Sequence, residues 1–233
     1  MKVPVCAIVG AGPGNGAAFA RQFSCAGYKV ALLARGREGL DALTREIAGT
    51  RAYPYDATDP ADAARVFASI REELGPPQTL IYNASTREFG DIDATTPEGF
   101  EGAWRVNAYG CLLAAQQVIP AMRAQGEGSI IVIGATASLK GAAGFVAFAS
   151  AKAAQRSLAQ SLARTLGPEG IHVASVIIDA MVDMPASRAM RPDAPDNFFA
   201  RPDDIAESVF FHARQPRSAW TFELDLRPFG ESW

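Results

Sequence analysis

The chain has 233 residues, 48% of them apolar and 20% charged, with a formal net charge of -3. That is enough material for one α/β-sized core, and the absence of a basic stripe argues against a nucleic-acid partner. Three cysteines, Cys6, Cys25 and Cys111, fall in apolar or helical stretches without paired spacing. They read as reduced, buried thiols of a cytoplasmic protein rather than as metal-binding or catalytic groups.

Met1 and Lys2 ahead of an apolar run imitate a leader peptide. The run stops at Gly10 in a glycine-rich turn, with no small-residue cleavage site behind it. No apolar stretch approaches the ~20 residues needed to span a bilayer, so no membrane partner and a cytoplasmic location are expected.

Short β-branched runs then alternate with longer alanine-rich amphipathic stretches. The runs are Val5–Val9, Lys29–Leu33, a short third strand ending near Tyr53, Thr79–Tyr82, Ser129–Ile133, Val173–Ile178 and Trp220–Leu226. Continuous apolar strands of this kind suit a parallel sheet covered on both faces. Helices are expected near 15–26, 37–48, 60–74, 97–125, 147–166 and 203–214. The third opens on Asp59-Pro60, an N-cap followed by proline in the first turn. The alternation predicts a doubly wound Rossmann-type α/β fold with about seven parallel strands, one domain over 1–233. The stretch 184–202, with four prolines and Met184, Met190, Phe198 and Phe199, reads as an irregular, largely apolar lid.

The first strand runs into Gly10-Ala11-Gly12-Pro13-Gly14-Asn15-Gly16 and then a helical pattern. Glycines there let the backbone turn tightly and approach a pyrophosphate, whose charge is favoured at a helix N-terminus. The placement after a first strand and before a helix is what makes the pattern specific for a dinucleotide. At the end of the second strand stands Ala34-Arg35-Gly36-Arg37, where an NAD site has an acid for the ribose 2′-hydroxyl and an arginine suits a 2′-phosphate. NADP is therefore expected ahead of NAD, with solvated arginines at a helix start as the alternative. Asp56 and Ala57 follow the third strand, with Asp56 placed for an adenine amino group, and Asn83 and Ala84 follow the fourth, beside the adenosine ribose.

In this order the chain resembles the short-chain dehydrogenase/reductase family over essentially its whole length. The family pattern TGxxxGxG matches at Gly10, Gly14 and Gly16, with Val9 in place of threonine. Its NNAG segment is loosely Tyr82-Asn83-Ala84-Ser85, its helical asparagine is Asn107, and the lysine of YxxxK is Lys152. The resemblance implies an oxidoreductase whose helices near 97–125 and 147–166 make a homodimer or homotetramer.

The departures from the family pattern bear directly on chemistry. Phe148 stands at the tyrosine position, Ala135 at the serine position, and Ile178-Asp179 replaces the proline-glycine pair after the sixth strand. Of the tetrad that the resemblance implies, Asn107 and Lys152 remain. In the resembling enzymes the tyrosine moves the substrate proton, the serine orients the substrate oxygen, and the lysine lowers the tyrosine pKa and holds the ribose. A phenyl ring has no exchangeable proton, and losing a positioned acid forfeits ~10²–10⁴-fold in rate. The expectation is an atypical subgroup acting on a strongly activated acceptor, an iminium being one example. The alternatives are a catalytically silent cofactor-binding protein or sensor and, lower, a non-redox isomerase or lyase.

Several polar residues compete to refill the vacancy. Thr136 and Ser138 offer hydroxyls to a substrate or cap their own loop. Asp179 and Asp183 offer a carboxylate near the reacting atoms, for acid–base work or a cationic substrate, or serve turns and caps. Ser85, Thr86 and Glu88 read as loop surface. Tyr109, about 200° around the helix from Asn107, and Ser150 read as structural, and His172 and His212 receive no catalytic part.

Overall fold

The computed structural model describes residues 3–86 and 88–230. The Met1-Lys2 start of the leader-like run lies outside the described residues. Among those residues, no helix is long and apolar enough to cross a membrane.

The elements follow in chain order as β1 (Val5–Val9), α1 (Asn15–Cys25), β2 (Lys29–Ala34), α2 (Arg37–Glu46), β3 (Thr50–Pro54), α3 (Pro60–Glu73) and β4 (Thr79–Tyr82). Then come α4 (Pro97–Trp104), α5 (Gly110–Gln125), β5 (Gly128–Ala135), α6 (Val146–Leu166), β6 (Ile171–Ile178), β7 (Met181–Val182), α7 (Pro185–Met190), β8 (Phe199–Ala200), α8 (Pro202–Ala213) and β9 (Glu223–Leu226). The main sheet has seven strands in the order β3-β2-β1-β4-β5-β6-β9, all parallel. This is the doubly wound architecture that the alternation predicts.

Strand side chains alternate between two cores. Val5, Ala7, Val9, Ile130 and Val132 pack with Phe67, Val118 and Met122 of α3 and α5, whereas Ile8, Leu32 and Ile131 pack with Phe19 and Phe23 of α1 and Val209 of α8. Because both faces of the sheet are covered, its central strands are largely apolar, whereas the edge strands β3 and β9 carry Arg51, Glu223 and Asp225. Asp59 caps α3 as expected, its carboxylate accepting from the Ala61 amide at 2.8 Å, with Pro60 in the first turn.

Cys25, expected to be buried like Cys6 and Cys111, is exposed at the end of α1. Three further expectations are corrected. The helix expected over 97–125 is interrupted by a π turn at Arg105–Tyr109. Gly110 donates to Arg105, five residues back, which frees the Val106 carbonyl to accept from the Tyr82 hydroxyl of β4. A side chain bonding into the helix ladder is a known cause of such a turn. Gly110 is required there, since a Cβ would stand 2.4 Å from the Tyr82 hydroxyl and 2.7 Å from the Ala57 carbonyl.

The second correction concerns 184–202, which is not irregular throughout. It carries α7, and β8 pairs in parallel with β7, Met181 opposite Phe199 and Val182 opposite Ala200. The last strand is also shorter than the run beginning at Trp220, since Trp220 stacks on His172 instead, with ring centroids 4.9 Å apart.

Candidate functional site

In a doubly wound sheet the ligand crevice lies beyond the carboxyl ends of the strands, where the strand order reverses. Here that point falls between β1 and β4. The Gly10 amide donates to the Leu33 carbonyl of β2 at 2.8 Å, and the Asn83 side chain donates to the Gly10 carbonyl at 2.8 Å. The glycine turn is thus fixed to strands on both sides. Gly10 itself has φ +89°, and a Cβ on it would stand 2.4 Å from the Ala84 amide nitrogen. Gly16, in the first turn of α1, is held to glycine by close approach alone, a Cβ there meeting the Gly10 carbonyl oxygen at 2.7 Å.

Two cavities of about 580 and 800 Å³ meet at Gly10, Gly12, Asn83 and Ser85, making one trough across the strand ends. The smaller is lined by Ala34, Arg35, Asp56, Ala57, Ala84 and Arg105. The Asp56 carboxylate accepts from the amide and hydroxyl of Thr58 at 2.9 and 2.8 Å. Those bonds, with the charges of Arg35 and Arg105 nearby, hold its pKa below the ordinary carboxylate value. Arg105 is a second cation at this end that the sequence pattern missed, because it lies far along the chain in the π turn. Ser85, Thr86 and Glu88, expected as loop surface, also line this half.

The larger cavity runs from Gly14, Asn15 and Gly16 to Ala135, Phe148 and Lys152. Phe148 and Lys152 are one helical turn apart on α6 and so share a face. Lys152 is only 3% exposed; its ammonium donates to the Ile133 carbonyl at the end of β5 at 3.0 Å and to Gln155 Oε1 at 2.9 Å. Gln155, fully buried, is a partner the motif reading did not anticipate. Phe148 is 7% exposed and packs edge-on against Phe89, with centroids 5.6 Å apart. Ala135 offers no hydroxyl, and its amide donates to Ser138 Oγ at 3.1 Å, so Ser138 caps its own loop.

Asn107 lies in the π turn, fully buried. Its amide nitrogen donates to the carbonyls of Ala103 and Thr86 at 2.9 and 3.4 Å, and its Oδ1 accepts from the Ser85 hydroxyl at 2.9 Å. It therefore ties the helix to the loop after β4.

The two carboxylates offered as replacement acids do not serve the cavity. Asp179 accepts from the Thr136 hydroxyl and pairs with Arg227 at 2.8 Å. Asp183 is gripped by Arg188 through two bonds, at 2.7 and 2.9 Å, which hold its pKa below the ordinary value. Neither lines the trough, because an arginine from a neighbouring segment draws each one aside. Tyr109 stacks on Trp104, and Ser150 bonds back to the Val146 carbonyl. No group of acidic, histidine or cysteine side chains able to hold a metal exists among the described residues.

The site fits a dinucleotide on its own geometry. A Cβ on Gly12 would meet nothing within 4 Å, so that glycine leaves open space at the centre of the trough. Beside it the Asn15 side-chain oxygen is buried without a partner.

Known proteins agree with this architecture. An uncharacterized oxidoreductase of Staphylococcus aureus is 27% identical over 226 residues, 96% of each chain. The solved short-chain dehydrogenase of Rhodopseudomonas palustris is 34% identical, covering 97% of this chain and 99% of its own, with a TM-score of 0.83. A metagenomic short-chain oxidoreductase solved in complex with NADP is 26% identical over 99% of both chains, with a TM-score of 0.86. The family model described as short chain dehydrogenase matches residues 4–194. With the seven-stranded sheet and the glycine turn at its reversal point, that match settles the lineage: the chain belongs to the short-chain dehydrogenase family.

Proposed function

We propose that the trough holds NADP(H) and that the chain is an oxidoreductase acting on an activated acceptor, one whose reduction needs no phenolic proton donor. Gly10, Gly14, Asn15 and Gly16 would hold the pyrophosphate, and Asp56, Ala57, Asn83 and Ala84 the adenosine. Arg35 would hold the 2′-phosphate, joined by Arg105, and Lys152 the second ribose. The nicotinamide, when bound, supplies or takes the hydride. The chain's own residues position it, close the site with Phe148 and the 181–190 segment, and leave the proton to water. Support for NADP over NAD comes from Ala34 and Arg35 on the trough and from the NADP-bound relative.

The observation that carries this reading is the pairing on α6 of a cavity-lining phenyl ring, Phe148, with the buried ammonium of Lys152 one turn later. Single-turnover mixing of the NADPH-loaded protein with ketones, imines and enones tests it. Oxidation of NADPH by an activated class but not by simple ketones is expected, and a flat nicotinamide absorbance with every class overturns it.

A second reading, a cofactor-binding protein without turnover, is favoured by the internal bonds already made by Asn107 and Lys152. The double change Phe148→Tyr with Ala135→Ser separates the two. Ketone reduction appearing in the variant of a chain silent toward every acceptor marks a dormant site. Exposed Phe100 and Trp104 on α4 support the proposed self-association through helices 97–125 and 147–166, which static light scattering reports.

A further inference from the structure

The acceptor half of the trough has a definite charge and a definite surface. Its charged lining, among the described residues, consists of Lys140 and Lys152. Asp179 and Asp183, after β6, are turned to Arg227 and Arg188, and Glu88 and Asp56 line the other half of the trough. Lys140 lies at the exposed rim, and none of the ion pairs among the described residues engages it. A cationic acceptor such as an iminium would meet Lys140 at the rim, with no carboxylate of the described residues lining this half.

The surface is aromatic and open. Phe89, Phe145 and Phe148 form one cluster, with centroids 5.0 to 6.4 Å apart. Exposure rises along it from 7% at Phe148 to 37% at Phe145 and 50% at Phe89. Two large rings left in water at a cavity mouth are stabilised when a ligand covers them. Met181, Met184 and Met190 line the same cavity, and thioethers adapt well to the edge of an aromatic ring.

The geometry points to an activated acceptor built on a planar aromatic monoanion, its ring against Phe89 and Phe145 and its carboxylate, a recognition handle and not the group reduced, at Lys140. This assignment rests on reading the cavity as the acceptor site of a dehydrogenase, but its own lining is what recognises the ligand. Recognition therefore needs no turnover to be seen.

Calorimetric titration of the full chain with 2-naphthoate, 2-naphthamide and 2-naphthylmethylammonium, with and without saturating NADP⁺, tests it. The naphthoate is expected to bind about fivefold tighter than the amide, as a solvent-exposed ion pair allows, and the ammonium weakest. Lys140→Gln should bring the naphthoate to the affinity of the amide, and Phe89→Ala should weaken all three probes. Both positions lie in exposed loops, and thermal melts confirm that the variants fold. An ammonium that binds as tightly as the naphthoate overturns the assignment. So does an undiminished preference for the naphthoate in Lys140→Gln, or the failure of all three probes to bind. A separate NADPH fluorescence titration isolates the cofactor reading: nucleotide that fails to bind, while naphthoate still binds the nucleotide-free chain, sinks that reading and leaves this one standing.

Discussion

Lys152 and Gln155 form a hydrogen bond in the interior of the protein, Nζ 2.9 Å from Oε1, from positions three apart on one face of α6. Both side chains are essentially excluded from water. A buried ammonium is tolerated only when its protons are taken up, and Gln155 supplies one acceptor while leaving its own Nε2 without a partner. Gln155→Leu removes the acceptor along with that orphan. The net loss should be about 1–2 kcal/mol, at the low end for a bond to a charged group, read from the urea midpoint. NADPH affinity should fall with it, and Gln155→Glu, which restores an acceptor, should recover both. A nucleotide affinity unchanged in Gln155→Leu would show that the bond does not position Lys152.

The glycine turn separates folding from binding. Gly10→Ala forces a side chain into a positive-φ position against the Ala84 backbone, and should cost about 2 kcal/mol or more. Gly12→Ala meets nothing within 4 Å and should leave stability within about 0.5 kcal/mol. Its methyl group enters the trough, so nucleotide binding should weaken while the melting curve stays in place. A Gly12→Ala chain that binds NADPH normally would remove the pyrophosphate from that position.

Arg35 stands at the end of β2 where the trough begins. Arg35→Ala should weaken NADPH by roughly tenfold or more, the worth of a charge-assisted bond, and leave NADH almost unchanged. Equal losses for the two nucleotides, measured by fluorescence titration, would end the argument for a 2′-phosphate there.

His172 gives the fold an acid limit. Burial holds its imidazole below the ordinary pKa; hydrogen bonds with the backbone of Thr221 and His212 oppose that, and repulsion from His212 adds to it. The unfolded chain takes up this proton near pH ~6.5, before the folded chain does. Stability present above that pH is therefore lost as the pH falls below it. The denaturant midpoint should drop between pH 7.5 and 5.5. His172→Phe, which retains a ring against Trp220, should flatten that dependence, and parallel curves for the two proteins would place the titrating group elsewhere.

The sheet, its parallel sense and the glycine turn were legible in the sequence because each is a local pattern with a local cause. Apolar runs of strand length, the Asp59-Pro60 cap and Gly10–Gly16 after β1 all act within a few residues. The π turn was not legible: it depends on the Tyr82 hydroxyl reaching Val106 from 24 residues away. The diversion of Asp179 by Arg227, and of Asp183 by Arg188, also escaped the pattern, since a carboxylate after a strand looks the same whether or not an arginine captures it. Gln155 was hidden for a third reason. A polar residue on a helix reads as solvated until the packing shows that it faces inward.

The segment after β6 returns to within one strand spacing of where it left. β7 lies alongside β8, the Asp183 amide donates to the Ala200 carbonyl at 2.8 Å, and Arg188 clasps both Asp183 and Asp196. The residues enclosed form a cassette with both ends pinned outside the main sheet. Met184, inside this cassette, lies against Gly14, so the segment outside the main sheet that borders the larger cavity also abuts the glycine turn, and a change in its contents reaches both.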